Sequence, residues 1–461
     1  MPSGWLLKVG FVDSLASRHI LIFGAGVTGD SVLRFLQSRG SRTFLVDENK
    51  ELTGTSNFEE IDLKSVTLGV VSPGWKVDHP YISKCRESGI ELISEIDLAW
   101  RVKSELNPSQ KWLALTGTNG KTTTVQMAEA MLLKGGRRAR ACGNVGNPVI
   151  DLATDSETEI LVLELSSFQL AWSHEARILS SGILNIADDH IDWHGNFENY
   201  ATAKLSIADL SETLVANLDD EELSKRIGKT AARLITYTLN TPKPHQIGLV
   251  ENLIVDRAFV SGDAEVLFEL NQVKPAVPHN VSNAMAAAAL ARSVGVDATA
   301  IAEAIEEFRL DHHRLEIVLE KDGVTWIDDS KATNPHAALA SLRSQLKSIW
   351  IAGGLAKGAS MDQLVRDGAS RIKFVILIGT DAKLIEDAIR THAPLVEYQA
   401  IDKAIMGREL MDEVVRLALA KASSGDSVLL APACASMDQF KNYGERGDFF
   451  ADAVRKIVDG K

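Results

Sequence analysis

Lys121 has the most specific chemical setting in this sequence. It follows Thr116-Gly117-Thr118-Asn119-Gly120 and precedes Thr122-Thr123, with the apolar run 112–115 before the turn and good helix formers over 125–134 after it. That order predicts a strand, a phosphate-cradling loop and a helix. Backbone N–H groups at such a turn converge on anionic oxygens, glycine lets the main chain approach closely, and the helix dipole favours negative charge. Lys121 then reaches the β- and γ-phosphates, and the Thr122 hydroxyl ligates Mg²⁺. The loop is a shortened variant, because the first glycine of the usual pattern would fall at Leu115. A plain glycine turn is the competing reading.

A second group of residues could serve the same nucleotide. The apolar run 160–165 delivers Glu164 next to Ser166, and the expected strand 183–186 delivers Asn185 and then Asp188, Asp189 and His190. An acid and a histidine at strand ends are reasonable Mg²⁺ partners, although imidazole is an unusual ligand for so hard a cation. A capping carboxylate and a satisfied core histidine explain them equally well. His190 and His194 are four apart, but without HExxH they do not form a zinc-protease pair. Lys204, Lys331 and Lys357 recur at turn positions, where a solvated surface charge is the ordinary alternative.

Nearer the start, the buried-strand run 19–23 leads into Gly24-Ala25-Gly26-Val27-Thr28-Gly29 and a helical stretch to about Gly40. A second strand, 43–46, ends at Asp47. This is the spacing of a dinucleotide-type βαβ turn, with a helix N-terminus for a pyrophosphate and an acid for a ribose or base. The run 66–71 then ends in Ser72-Pro73-Gly74, a rigid turn that could share one crevice with the glycine turn and Asp47. A glycine turn that only packs helix on strand remains open.

These residues need elements to hold them, and 461 residues exceed one ordinary core. The polar turn at 106–109 and the segment 311–314 divide the chain into expected domains 1–107, 108–311 and 312–461. The central one alternates strands at 138–142, 160–165, 183–186 and 214–217 with helices, which predicts a covered parallel sheet. Hairpins are expected over 246–273 and helices over 283–294 and 298–308. The last set has strands at 324–327, 348–352, 374–378 and 427–430. The fold class is α/β in three domains, Rossmann-like, P-loop ATPase-like and Rossmann-like, with a site in the cleft between them.

Hydrophobic content of 45% and charged content of 24% are those of a soluble globular chain, and a net charge of −13 disfavours nucleic-acid or anionic-membrane binding. Cys85, Cys142 and Cys434 form no CxxC pair, so a reducing compartment is expected. Residues 1–18, with Lys8, Asp13 and Arg18, resemble neither a signal peptide nor a spanning helix of ~20 apolar residues, which predicts a cytoplasmic location.

The motifs TGTNGKTT at 116–123, GNVG at 143–146, ELSSFQL at 164–170, Asp189-His190, Tyr200 with Lys204, His279-Asn280, His313-Arg314, DSKATN at 329–334 and PACASMDQF at 432–440 together resemble the Mur ligase family, in particular its D-glutamate-adding branch. The similarity runs from about Gly24 to Phe449.

The resemblance implies an ATP-dependent ligase, a monomer, that joins D-glutamate to UDP-N-acetylmuramoyl-L-alanine in peptidoglycan precursor synthesis. It implies that Gly26, Val27, Thr28, Asp47, Ser72, Pro73 and Gly74 hold the UDP end. Gly117, Thr118, Asn119, Gly120, Lys121, Thr122 and Thr123 would hold the ATP phosphates, with Asn280, Arg314 and Asp329 placing the rest of the nucleotide. Thr122 and Glu164 would hold one Mg²⁺, with Glu164, His190 and Lys204 around a second, and the family's lysine matching Lys204 is carbamylated. Asn144 would touch the muramoyl substrate, and Thr333, Lys357 and Ser436 would grip D-glutamate. Ser166, Lys331 and Tyr443 join these substrate residues. Two departures stand out: Leu355-Ala356 precede Lys357 where many members carry an acid, and Tyr443 replaces a common Phe. A sister ligase using another amino acid, a nicotinamide-dependent dehydrogenase and a non-catalytic nucleotide-binding protein are the rival readings.

Overall fold

A computed structural model describes residues 10–49, 52, 54–228, 230–260 and 262–460. The expectation drawn from the N-terminus falls in part on residues 1–9, Lys8 included, which lie outside the described residues. Among the described residues no helix is long and apolar enough to cross a membrane. The fold is α/β with three sheets, and the chain forms two compact units. One comprises Met1–Ile186, Ala201–Val273 and Val281–Phe308, and the other Ala187–Tyr200, Lys274–Asn280 and Arg309–Lys461.

The first unit contains two sheets. The smaller is parallel throughout, in the order Arg42–Val46, His19–Phe23, Leu68–Val71, Glu91–Ser94. Residues 20–23 and 68–71 are buried, as continuous apolar runs covered on both faces must be. The larger sheet is ordered Glu265–Glu269, Leu253–Asp256, Gln246–Val250, Arg233–Thr238, Ser211–Asn217, Ile178–Ile183, Lys111–Thr116, Ile160–Glu164, Ala139–Gly143. Its first two neighbouring pairs are antiparallel and the rest parallel, so the hairpins expected over 246–273 form an antiparallel edge on a parallel sheet. Helix Pro278–Ser293 starts five residues before the expected Asn283, with Pro278 at its first position, where the missing N–H costs nothing. Its alanines 284, 286–289 and 291 are all buried, and a helix apolar all round belongs inside.

The expected strand at 183–186 needs correction. The strand is Ile178–Ile183, and Asn185 lies in the loop beyond it. Ser180, Ser181 and Gly182 break the apolar run in sequence, yet the two serines are fully buried between neighbouring strands.

Helix Glu95–Leu106 ties the two sheets of this unit together. Asp97 accepts hydrogen bonds from the N–H groups of His174, Glu175 and Ala176 at 2.9, 3.0 and 3.3 Å. Glu95 accepts one from Ile150 N–H at 2.8 Å. Burial pushes the Glu95 carboxyl up to about 7, against the hydrogen bond from Ile150. The folded chain therefore holds this proton more tightly than the unfolded one, and stability falls as pH rises from the ordinary carboxylate range through about 7. Between pH 5 and 8 the loss from this group is about 2 kcal/mol. Glu95→Gln should shrink the drop in Tm between those two pH values; equal drops in both proteins would refute the assignment.

The second unit has one sheet, ordered Glu316–Lys321, Val324–Asp328, Ser427–Leu430, Ser348–Gly353, Ile372–Ile378, Glu397–Ala400. All neighbours are parallel except the first pair. The last central strand in sequence, Ser427–Leu430, thus sits in the middle. Its carboxyl end, with those of Val324–Asp328 and Ser348–Gly353, presents 329–334, 354–357 and 431–436 together.

Candidate active site

The phosphate loop begins where the buried strand Lys111–Thr116 ends. Asn185 shapes it: its Oδ1 accepts from Asn119 N–H at 2.8 Å, its Nδ2 donates to the Asn119 carbonyl at 3.1 Å, and its carbonyl accepts from Thr118 N–H at 3.1 Å. Gly120 then opens helix Lys121–Lys134 in the left-handed region, φ +82°. A Cβ there would lie 2.4 Å from Asn283 Oδ1, so both the backbone and the neighbour demand glycine. No side chain caps this helix from Gly120 and no acid occupies its first turn. A helix start of this kind, with its dipole uncompensated by an acid, favours an anion. Lys121 Nζ donates to the carbonyls of Gly117 and Thr118 at 2.8 and 3.0 Å, folded over the loop it would leave for a phosphate. Thr122 is half-buried and Thr123 buried.

Strand Ile160–Glu164 lies between Lys111–Thr116 and Ala139–Gly143, with Glu164 level with Leu115 and Gly143. Asn144 Nδ2 donates to Glu164 Oε1 at 2.9 Å, and Asn144 N–H to the Glu164 carbonyl at 2.9 Å. Glu164 Oε2 is buried with no hydrogen-bond partner among the described residues. An orphaned carboxylate oxygen in the interior is expensive unless something cationic meets it. A buried carboxylate supplies the hard oxygen that Mg²⁺ prefers, so Glu164 fits that ion. Lys204 is buried and donates to the Gly117 carbonyl at 2.8 Å, bringing it to the same loop. Ser166 begins helix Ser167–Trp172 in a capping box with Gln169.

The first sheet brings its own expected residues together. Ala25 and Asn49 N–H donate to the two carboxylate oxygens of Asp47 at 2.7 and 2.9 Å, and Ser72 N–H donates to the Phe23 carbonyl at 2.9 Å. A Cβ on Gly29 would fall 1.7 Å from the Gly24 carbonyl oxygen, and one on Gly24 2.9 Å from Ser72 Cβ. Above Gly26 there is open space, and Val27 is 75% exposed, an unusual position for valine inside a helix start. Thr28 is half-buried, Pro73 half-buried and Gly74 exposed.

In the second unit, Asp329 is buried, accepting from Ser341 Oγ and from Leu315 N–H at 3.2 Å. Burial pushes its carboxyl up to about 6, against those hydrogen bonds and the Arg314 charge. Arg314 lies between two residues with positive φ, His313 at +64° and Leu315 at +47°. His313 Nδ1 is 2.7 Å from Asp328 Oδ2, a contact that raises the imidazole pKa and pins this turn. Lys331 Nζ stands 3.9 Å above the Tyr443 ring. Thr333 is half-buried, Ser436 buried and Lys357 exposed. Asn280 Nδ2 donates to the Pro275 carbonyl at 3.0 Å. His190, φ +53°, precedes helix Ile191–His194, and its N–H donates to Asp189 Oδ1 at 3.0 Å.

Three family models match the chain: the Mur ligase MurD-like N-terminal domain over residues 18–94, the Mur ligase middle domain over 115–291, and the Mur ligase glutamate ligase domain over 313–434. Among curated relatives, the UDP-N-acetylmuramoylalanine–D-glutamate ligase of Thermobifida fusca is 45% identical, the match covering 96% of this chain and 99% of that one. The chain belongs to the Mur ligase family. The identically named enzyme of Streptomyces avermitilis is 42% identical over 95% of this chain and 98% of its own. Solved Mur-type ligases share the fold at low identity. A pseudomurein peptide ligase type C from Methanothermus fervidus matches with TM-score 0.60 at 18% identity, covering 95% of this chain and 100% of that one. MurF from Thermotoga maritima, crystallised in complex with ADP, matches with TM-score 0.56 at 16% identity, covering 97% and 99%.

Two residues of this Mur ligase were not singled out from its sequence. Asn283, three residues after Asn280, packs its side chain against Gly120 of the phosphate loop. Arg446 is 1% exposed, and its guanidinium donates to Ser330 Oγ, the Ser330 carbonyl and the Cys434 carbonyl at 2.9, 2.8 and 3.1 Å. Burial lowers its pKa to about 10. It thereby clamps the 330–333 segment to the 434–436 segment.

Proposed function

We propose that this Mur ligase joins D-glutamate to UDP-N-acetylmuramoyl-L-alanine, consuming ATP and releasing ADP and phosphate. The observation that carries the chemistry is the orphaned Glu164 oxygen beside an uncapped phosphate-loop helix, a place for a cation next to a place for an anion. The choice of substrates is supported by near-full-length relatives that bear that name.

A carboxylate is a poor electrophile because its charge repels nucleophiles and oxide is a bad leaving group. In this reading the L-alanyl carboxylate attacks the γ-phosphorus, the bond to the β-phosphate oxygen breaks, and ADP leaves. The helix-start amides and Lys121 hold the phosphoryl oxygens during that transfer. Mg²⁺, when bound to Thr122 and Glu164, offsets charge on the same oxygens. Asn144 orients Glu164 through its 2.9 Å hydrogen bond and would touch the muramoyl substrate. The D-glutamate amine then attacks the acyl carbon, phosphate departs, and the amide forms.

Lys204 as an ammonium is a donor only. Carbamylation would convert it to an anionic oxygen ligand, which with Glu164 would suit a second Mg²⁺. The crevice of Gly26, Val27, Thr28, Asp47 and residues 72–74 would take the UDP end. Asn280, Arg314 and Asp329 would place the rest of ATP, and Lys331, Thr333, Lys357, Ser436 and Tyr443 would surround D-glutamate. A coupled assay of ADP release, with ATP, sugar nucleotide and D-glutamate omitted in turn, tests the whole reading. ADP release should require all three, and L-alanine, L-lysine or diaminopimelate should not replace D-glutamate. Turnover with another acceptor in preference would reassign the chain within the family.

A further inference from the structure

Asp381 sits at the N-cap of helix Ala382–His392, yet its side chain makes no cap hydrogen bond there, although aspartate at an N-cap ordinarily accepts from the second or third helical N–H. Its Oδ2 instead accepts from Ala356 N–H at 2.8 Å, and its own N–H donates to the Gly354 carbonyl at 3.0 Å. The loop held this way runs directly into Lys357, which has φ +51°, a conformation uncommon for a residue with a Cβ. On its other side Leu355 and Ala435 exchange two backbone hydrogen bonds of 2.9 Å. Asp438 Oδ2 accepts from Thr380 N–H at 2.8 Å, fastening the turn that carries Asp381. A Cβ on Gly353 or Gly354 would fall 1.8 Å from the Ile378 carbonyl oxygen or 2.1 Å from that of Ala435, so the backbone packs against both neighbours as closely as glycine allows.

We infer that Asp381 is a positioning residue for the acceptor amino acid, fixing the loop from which the Lys357 ammonium meets the acceptor's carboxylate. It acts from beyond the neighbouring strand Ile372–Ile378 on the Leu355-Ala356 loop that leads into Lys357. The inference rests on the proposed D-glutamate role of Lys357.

The test compares Asp381→Ala, Asp381→Asn and Lys357→Ala in the full-length enzyme, measuring KM for D-glutamate, ATP and the sugar nucleotide, kcat, and Tm. Asp381→Ala should raise the D-glutamate KM about tenfold, the loss of one charge-assisted hydrogen bond, while the other two KM values stay within about twofold. Asp381→Asn keeps an oxygen that accepts from Ala356 and should stay within about threefold of the parent. A D-glutamate KM unchanged in Asp381→Ala, a parallel rise in all three KM values with a fall in Tm, or an Asp381→Asn as poor as Asp381→Ala would each overturn the inference. An unchanged D-glutamate KM in Lys357→Ala would instead sink the underlying reading of Lys357.

Discussion

Replacing Lys121 with alanine should lower kcat by about three orders of magnitude or more, with ATP, sugar nucleotide and D-glutamate all saturating. The size of the effect follows from where charge grows. As the phosphoryl group leaves ADP, negative charge grows on oxygens that, in the proposed reading, the leading amides of helix Lys121–Lys134 would cradle. Those amides carry only partial charge, so the full positive charge of Lys121 is the largest contribution the loop itself makes. Its ammonium already lies over that loop, 2.8 Å from the Gly117 carbonyl and 3.0 Å from that of Thr118, and needs only rotate to an incoming phosphate. Loss of the side chain should leave the fold intact, because Lys121 is only half-buried and Gly120 sets the turn. Single-turnover quench measurements of phosphate release with an unchanged Tm would check this. Parent-like release would mean that some other group neutralises the γ-phosphate.

Glu164→Gln should be nearly as damaging, reducing kcat by about two to three orders of magnitude and raising the Mg²⁺ concentration needed for half-maximal activity. The glutamine carbonyl oxygen can still accept the bond that Asn144 gives to Oε1, so the strand end keeps its geometry. What disappears is the charge on the buried oxygen that has no protein partner. Removing an unpaired buried charge should also make the metal-free protein more stable, a gain of about 1 to 3 kcal/mol. The two effects have opposite signs, which makes the variant informative. A metal ligand predicts lower activity with higher metal-free Tm, whereas a capping carboxylate predicts lower Tm and little change in Mg²⁺ dependence. Thermal unfolding in chelator, paired with Mg²⁺ titration of activity, separates them.

The parts of this site that were legible in the sequence are those whose signal is local. A glycine turn between an apolar run and a helix announces itself, and the structure adds that Gly120 has φ +82° with Asn283 against it. Strand Ile160–Glu164 is apolar and fully buried, so its end and Glu164 could be read directly. Asn283 and Arg446 were not legible, because an asparagine or arginine within a helix ordinarily faces water, and only the tertiary neighbours reveal these as buried contacts. Asp381 was hidden for a different reason: it looks like a helix cap, and its partner Ala356 is 25 residues away in sequence. Two edge strands escaped too. Glu316–Lys321 and Glu397–Ala400 leave most of their residues exposed or half-exposed, so neither shows the apolar run by which the central strands were recognised. Strand Ile178–Ile183 was misplaced because its serines and glycine interrupt the apolar run while packing tightly in the middle of the sheet.

Oxygen transfer from the acceptor carboxylate to phosphate reports most directly on the acyl phosphate. With both oxygens of the L-alanyl carboxylate isotopically heavy, mass analysis of the products should find one heavy oxygen in every released phosphate and the other in the new amide. Amide formed alongside phosphate that carries no label would mean that the carboxylate never accepted the γ-phosphoryl group.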